Sequence, residues 1–279
     1  MTYERRIDRL NPGLILLLVD QSDSMNEPLA GGETPKAQAV ADQINQLIYE
    51  LILRCVKTPR EPPRPYFHLG VIGYSTARSG DPLVVSLLAA GDAQNLGLQS
   101  TTELAAAPLR IERRQGTGGG TVNAPIWVEP VARGGTPMCG ALDRAGRIAA
   151  TWTKRYPDTF PPIVVNLSDG EATDGRPELW AQRLQSLRTS DGTLLLFNIN
   201  LSAQPSMPIV FPTDRTALPD RLAHRLLEMS SPLPSDMVHT ARGQGLDVVP
   251  GSRGFAYNAD LRTLALFLNV GTSVGRAAW

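Results

Sequence analysis

Two short apolar runs, each followed by an aspartate, constrain the fold of this chain more than any other feature of its sequence. Leu14 to Val19 is apolar at consecutive positions and is followed by Asp20, and Ile163 to Leu167, which is apolar except for Asn166, leads into Ser168 and Asp169. Such runs are typical of strands buried on both faces of a parallel sheet, because helices cover both of those faces. Open α/β sheets place their sites just beyond the carboxyl ends of the strands, so we expect Asp20 and Asp169 to meet at one edge.

Three residues with hydroxyl side chains are also expected at this edge of the sheet. Ser22 and Ser24 lie at alternate positions after Asp20, so the three side chains can converge on one point. Thr136, in the segment GGTP, precedes a helical pattern and would reach the same edge of the sheet. Oxygen ligands without His or Cys suit Mg²⁺ or a similar hard cation rather than zinc. A simpler alternative is that Ser22 or Ser24 only caps the next helix.

Taken together and in this order, the segments DQSDS, GGTP and NLSDGEATDG resemble the metal-ion-dependent adhesion site of von Willebrand factor type A domains. The resemblance extends from about Pro12 to Val270. It implies a Rossmann-like, doubly wound α/β fold, in which helices flank a mostly parallel central sheet. It also implies metal binding through three hydroxyls, and through two carboxylates that act directly or through water. The implied ligands are Asp20, Ser22, Ser24, Thr136 and Asp169.

The resemblance implies recognition of another protein rather than catalysis, and hence no catalytic residues. Mg²⁺ prefers six oxygen ligands, so the side chains of this chain leave a position for water or for a partner's carboxylate. Mn²⁺ or Ca²⁺ could replace Mg²⁺. The chain is similar to stand-alone bacterial members encoded beside protein kinases and phosphatases, in tellurite-resistance-type or stress-response and conflict systems. The expected partner is a component of such a system that supplies an acidic side chain.

One residue departs from the pattern of the family. Asp23 stands where many members have glycine, and we expect its carboxylate to point to solvent. Glu171 and Asp174 follow Asp169 closely, but we expect both to lie outside the set of metal ligands.

Two other classes of function stay open. One is a metal-assisted hydrolase that uses the same ion to activate water, although no general base is identifiable beside it. The other is a scaffold domain with an empty site. The segment GYSTA, residues 73–77, begins like a nucleophile elbow but lacks the final glycine. His68, His224 and His239 are scattered and stand in no recognisable catalytic context.

The composition of the chain indicates which kinds of binding partner and which cellular compartment to expect. The 27 basic and 27 acidic residues cancel, so nothing points to nucleic acid or to a membrane surface. Cys55 and Cys139 are too few for a disulfide framework and fit free thiols in a reducing compartment. The amino terminus lacks the long apolar region of a secretory signal, and no apolar run approaches the roughly 20 residues of a membrane span. We therefore expect a soluble, cytoplasmic protein.

Strand and helix patterns alternate along most of the chain. Thr34-Pro35 marks the start of a helix, and the 279 residues suit a single domain, 1–279. Between residues 78 and 133, however, short apolar pieces are separated by turn-rich stretches, which predicts a β-rich insertion. The glycine-rich run of residues 116–121 lacks the lysine of a phosphate loop, so we interpret it as a hairpin tip. A typical family member has a shorter link here, so the insertion is where specificity is expected.

Overall fold

The computed structural model describes residues 3–58, 60–88, 97–115, 119–203 and 207–271. Strands and helices alternate along most of these residues. The strands are β1 (Gly13–Asp20), β2 (Phe67–Thr76), β3 (Pro82–Ser86), β4 (Gln99–Ser100), β5 (Arg110–Gln115), β6 (Thr121–Ile126), β7 (Ile163–Ser168), β8 (Leu195–Asn200), β9 (Ile209–Val210) and β10 (Phe255–Tyr257). The helices are α1 (Lys36–Arg54), α2 (Thr101–Ala106), α3 (Met138–Arg155), α4 (Pro177–Ser186), α5 (Arg221–Met229), α6 (Ser235–Gly243) and α7 (Leu261–Gly271).

Within the described residues, the central sheet has eight strands and is mostly parallel. Strands β2, β1, β7, β8 and β10 lie side by side in this order and run parallel. Strands β3 and β4 pair antiparallel with β2, and β9 pairs antiparallel with β10. The sheet and its flanking helices confirm the predicted Rossmann-like α/β fold class.

Both faces of β1 are covered by helices. Successive side chains of a strand point to opposite faces of the sheet, and here each face meets its own layer of helices. The even-numbered side chains of β1 pack with α3, α4 and α5, and the odd-numbered ones with α1, α6 and α7: Leu14, Leu16 and Leu18 in the first group, Ile15, Leu17 and Val19 in the second. This double coverage is why the run is apolar at every position. None of the described helices is both long and apolar enough to cross a membrane.

The segment 78–133 is divided between the central sheet and a separate hairpin. Strands β3 and β4 belong to the central sheet, and buried Trp127 donates its backbone N–H to Asn45 of α1. Among the described residues, only β5 and β6 form a sheet of their own. Of the predicted hairpin tip, residues 116–118 lie outside the described residues. The β-rich character of the segment is seen, whereas the assignment of 1–279 to one domain stays a prediction.

Replacing residues 112–124 by a short Gly-Ser turn should leave the fold intact. Val122 is 52% exposed, and the ion pair between Arg114 and Asp42 lies at the surface. Its loss should cost at most about 1 kcal/mol. Removing β3 instead should cost more, because β3 pairs with β2 in the central sheet. Thermal unfolding followed by circular dichroism compares the two variants. A hairpin variant without a cooperative transition would show that the hairpin belongs to the core.

A chain of buried polar side chains crosses the core from β2 to the end of α5. The Tyr74 hydroxyl donates to Asn166 Oδ1 at 2.8 Å, and Asn166 Nδ2 donates to Asn198 Oδ1 at 3.1 Å. Asn198 Nδ2 in turn donates to Ser230 Oγ at 3.0 Å. All four residues are fully buried, where an unpaired polar group is costly, so the amide oxygens of Asn166 and Asn198 depend on the donors beside them. Burial raises the pKa of the Tyr74 phenol well above its ordinary value, which keeps this hydroxyl a donor.

Candidate metal centre

The pairing of β1 with β7 places the two predicted aspartates at one edge of the sheet. The strands are parallel and Val19 pairs with Leu167, so Asp20 and Ser168 follow side by side. The Ser168 hydroxyl donates to Asp20 Oδ2 at 2.6 Å. Asp169 is the next residue after β7. The predicted meeting at the carboxyl ends of the strands is therefore seen, and its cause is the register of two parallel strands.

The two serines of the first loop join these carboxylates. Asp20 Oδ1 accepts a hydrogen bond from the Ser22 backbone N–H at 2.9 Å. The Ser22 and Ser24 hydroxyl oxygens are 3.1 Å apart, and the Ser24 hydroxyl donates to Asp169 Oδ1 at 2.8 Å. The capping alternative is wrong, because the Ser22 side chain makes no capping bond to the 3-10 turn it precedes, and α1 begins only at Lys36. Asp20, Ser22, Ser24 and Asp169 thus form one hydrogen-bonded group, called here the acidic cluster.

Thr136 lies beside the acidic cluster on a separate loop. Its backbone N–H donates to Thr173 Oγ1 at 3.2 Å, and its carbonyl oxygen accepts from Thr173 N at 2.9 Å. The Thr136 hydroxyl lies 3.6 Å from the point that a Cβ on Gly170 would occupy, so it faces the residue after Asp169. The hydrogen bonds that join the acidic cluster do not include this hydroxyl. All five predicted ligands lie at the same edge, and their role in metal binding stays a prediction.

Gly134 allows the Thr136 loop to approach β2. Its φ is +71°, a left-handed conformation, and a Cβ there would overlap the backbone of Thr76. The Thr76 hydroxyl accepts the N–H of Gly135 at 2.7 Å. The loop is also joined to the first loop, since Asp23 N donates to Gly134 O at 2.9 Å. The backbone conformation and the close approach to Thr76 therefore require glycine at position 134, the first glycine of GGTP. The Asp23 side chain itself is exposed, as predicted.

Burial makes the Asp20 carboxylate sensitive to a nearby cation. Asp20 is fully buried, and this desolvation raises its pKa to about 6, although hydrogen bonds from Ser168 and Ser22 act in the opposite direction. A positive ion beside a buried carboxylate favours its ionised form. The electrostatic environment of Asp20 is thus one in which a bound cation would stabilise the charged side chain.

A buried lysine that sequence reasoning missed contacts the acidic cluster. The Lys36 side chain is 3% exposed, and its Nζ lies 2.8 Å from Asp169 Oδ2 and 2.8 Å from Glu27 Oε2. Burial alone would lower the pKa of this ammonium, but the hydrogen bonds to Asp169 and Glu27 outweigh it, and the pKa lies above its ordinary value. Lys36 therefore carries a positive charge at the edge of the cluster. No pattern in the sequence distinguishes it from an exposed lysine in the first turn of α1.

Asp174 positions the helix that follows Thr136. Its two carboxylate oxygens accept the backbone N–H groups of Cys139 and Gly140 at 3.0 and 2.8 Å. A carboxylate is favourable at this end of a helix, where N–H groups lack partners. These bonds of Asp174 thus lie with α3 rather than with the acidic cluster, and its place outside the set of metal ligands stays a prediction. Both cysteines are buried free thiols, and burial raises the pKa of Cys139 to about 12, which keeps that thiol protonated.

The donor set fits a small hard cation. Adjacent ligands of octahedral Mg²⁺ lie about 2.9 Å apart, because its bonds to oxygen are about 2.0–2.1 Å long. The oxygens of Ser22 and Ser24 and of Ser24 and Asp169 are hydrogen-bonded at 3.1 and 2.8 Å, lengths that are compatible with this spacing. Within the part of the chain that the structure describes, no group of three or more His, Cys, Asp or Glu side chains could hold a metal ion. An ion at this edge would therefore depend on hydroxyl ligands.

The other motifs of the sequence lie in different surroundings. Ser75 of the GYSTA segment is buried within β2, and the residues after it turn into β3 rather than into a helix. The ring of His68 packs against Trp152, and His224 Nε2 lies 3.1 Å from the carbonyl oxygen of Leu218. These contacts agree with structural roles for the serine and for both histidines.

No protein-family model and no curated protein matches this sequence. Among solved structures, the pilus adhesin SpaC from Lactobacillus rhamnosus GG is 12% identical over 97% of this chain and 32% of its own, with a TM-score of 0.55. Manganese-loaded TRAP protein from Plasmodium vivax is 16% identical over 71% of this chain and 60% of its own, with a TM-score of 0.37. The human COPII-coat protein Sec24c is 11% identical over 68% of this chain and 26% of its own, with a TM-score of 0.30.

These likenesses concern architecture only. The chain spans about a third of the length of the pilus adhesin. The TM-scores of the other two structures, 0.37 and 0.30, indicate only weak structural similarity. At 12% identity, the match to the adhesin shows a shared fold and nothing about ligands. The described chain is thus a mixed α/β fold similar to part of a pilus adhesin.

Proposed function

We propose that this protein is a cytoplasmic interaction module of the von Willebrand factor type A kind, which binds an acidic side chain of another protein through Mg²⁺. The observation that supports this most is the acidic cluster, with the hydroxyl of Thr136 beside it. We further propose a bacterial signalling, stress-response or conflict system as its setting. Its partner would then be a component of that system, such as a kinase or a phosphatase.

The chemistry follows from the kinds of ligand. Bound Mg²⁺ would supply a concentrated positive charge with room for one further oxygen ligand. Asp20 and Asp169 contribute the negative charges, and Ser22, Ser24 and Thr136 contribute neutral oxygens that donate electron density only weakly. Asp20, Ser22, Ser24 and Asp169 are held by hydrogen bonds to one another and to Ser168 at the end of β7, which favours binding with little rearrangement of these four residues. A carboxylate from a partner would then complete the set better than an amide could.

A metal-assisted hydrolase is less well supported. It would require a general base close to the ion, and the contacts of His68 and His224 lie in other parts of the fold. We therefore propose binding without turnover, and the experiment below also includes an assay for hydrolysis.

Capture of the partner should depend on the metal and on the hydroxyl of Thr136. The immobilised protein is incubated with lysate of its source organism in Mg²⁺ or in EDTA, and bound proteins are identified by mass spectrometry. We expect a partner that is retained in Mg²⁺ and lost in EDTA. Thr136→Val, which keeps the shape but removes one ligand, should weaken binding about tenfold, while the unfolding free energy falls by at most about 1 kcal/mol.

The matched control is Asp23→Asn, because Asp23 is exposed in the same loop. This variant should retain the partner. The metal bridge is refuted if the partner is still retained in EDTA. It is also refuted if the partner is retained after every acidic side chain of its interface has been converted to an amide. Either result would indicate a conventional protein interface. Turnover of a generic phosphoester that requires Asp20 would favour the hydrolase, and an absence of metal binding would favour the scaffold domain.

A further inference from the structure

Lys36 contacts the acidic cluster from inside the protein. It is the first residue of α1, and its side chain is only 3% exposed. Its ammonium lies 2.8 Å from Asp169 Oδ2, while Asp169 Oδ1 accepts the hydroxyl of Ser24. The same ammonium is 3.4 Å from the backbone oxygen of Ser24. The Asp169 carboxylate therefore binds Lys36 through one oxygen and Ser24, a proposed metal ligand, through the other.

The two ion pairs of Lys36 are unequal. The side chain of Asp169 is 1% exposed, whereas that of Glu27 is 56% exposed, so water screens the charge of Glu27 but hardly that of Asp169. A buried carboxylate that loses its counter-charge is strongly destabilised. In the absence of metal, Lys36 is thus the group that neutralises Asp169.

The same positive charge acts on a bound divalent ion. Among the buried side chains, Asp20 and Asp169 offset the two charges of the ion, and Lys36 adds one positive charge. Glu27 offsets that charge only in part, because its carboxylate is exposed and water screens it. Like charges repel strongly in a poorly solvated site, so the lysine must weaken the binding of the ion. The excess charge also makes the loaded site attract an anion.

We propose that Lys36 is a resident cation of the metal centre, which holds Asp169 when no metal is bound and lowers the affinity of the site for divalent ions. This inference rests on the proposed function. It assigns to one residue both the stability of the metal-free site and the residual positive charge that selects an acidic partner.

The test uses the full chain and Mn²⁺ alone. Lys36→Met removes the charge and keeps much of the aliphatic length, and Lys36→Gln also keeps a hydrogen-bond donor for Asp169. In EDTA, we expect Lys36→Met to unfold at least about 5 °C below the wild type, because it leaves a buried carboxylate unpaired. The double variant with Asp169→Asn should recover at least half of that loss, since neither charge remains.

Isothermal titration then measures the affinity for Mn²⁺. Both Lys36→Met and Lys36→Gln should bind Mn²⁺ at least about tenfold more tightly than the wild type, since a repelling charge is gone. The matched control is Glu27→Gln, which removes the exposed partner of the same ammonium and should change the affinity less than about threefold. If Lys36 had a merely structural role, its replacement would lower both the stability of the protein and its affinity for Mn²⁺.

The outcomes are distinct. If the wild type binds Mn²⁺ and neither lysine variant binds more tightly, the inference is overturned while the proposed function stands. An unchanged unfolding temperature of Lys36→Met in EDTA would also overturn it. If neither the wild type nor the variants bind Mn²⁺ at millimolar concentration, the metal centre and the inference fall together.

Discussion

Millimolar Mg²⁺ should raise the unfolding temperature of the wild-type protein by roughly 5–10 °C, and it should leave that of Asp20→Asn unchanged. An ion that binds only the native state contributes about 2.7 kcal/mol at a hundredfold excess over its Kd, which corresponds to a shift of this size. Asp20→Asn keeps the shape of a fully buried side chain but removes one of the two carboxylates. Differential scanning calorimetry with and without the metal measures both shifts.

Two controls make this result specific. Asp23→Asn removes an exposed carboxylate from the same loop and should respond to Mg²⁺ as the wild type does. Chelation by EDTA should reverse the shift of the wild type. Equal stabilisation of Asp20→Asn and the wild type would place the ion elsewhere, and the assignment of the five ligands would then be incorrect.

Gly134→Ala should cost about 2–3 kcal/mol of unfolding free energy and should also abolish the response to Mg²⁺. The left-handed conformation at φ +71° is strained for alanine, and its Cβ would overlap the backbone of Thr76. The loop must therefore move, and it carries Thr136 with it. Urea unfolding with and without Mg²⁺ measures both effects.

The neighbouring glycine supplies a matched control. A Cβ on Gly135 would lie 3.4 Å from its nearest neighbours, which is an ordinary contact. Gly135→Ala should accordingly change the unfolding free energy by less than about 1 kcal/mol and keep the response to the metal. If the two variants behave alike, the close approach of the loop to β2 does not determine the geometry of the site.

The sequence was sufficient to predict the sheet and the edge at which the candidate site lies. The runs at β1 and β7 are mostly apolar because helices cover both of their faces, and this pattern can be recognised without any knowledge of distant contacts. Parallel strands also align their carboxyl ends, so the meeting of Asp20 and Asp169 follows from local patterns. Their identity as metal ligands rests on the resemblance alone.

Other features depend on contacts between distant residues, which local patterns do not encode. β3 was assigned to an insertion because its pairing with β2 is set by tertiary packing. The six-residue helix α2 was not predicted, although Ser100 and Glu103 form a capping box that marks its start. Lys36 was missed because a buried lysine and an exposed one have the same sequence signature. Ser168 lies within the segment NLSDGEATDG, but its bond to Asp20 depends on the register of β1 and β7.

The buried polar chain from Tyr74 to Ser230 has a consequence for the evolution of this protein. Each member donates to or accepts from the next across three strands and the end of α5, and none reaches solvent. An apolar replacement of Tyr74 would remove the donor of Asn166 Oδ1, and one of Asn166 would remove the donor of Asn198 Oδ1. Replacing the connected members together would remove donor and acceptor at the same time. Mutations in this region are therefore epistatic: we expect Tyr74, Asn166 and Asn198 to be exchanged together in evolution, whereas Ser230 can change alone because Asn198 Nδ2 also donates to Leu226 O.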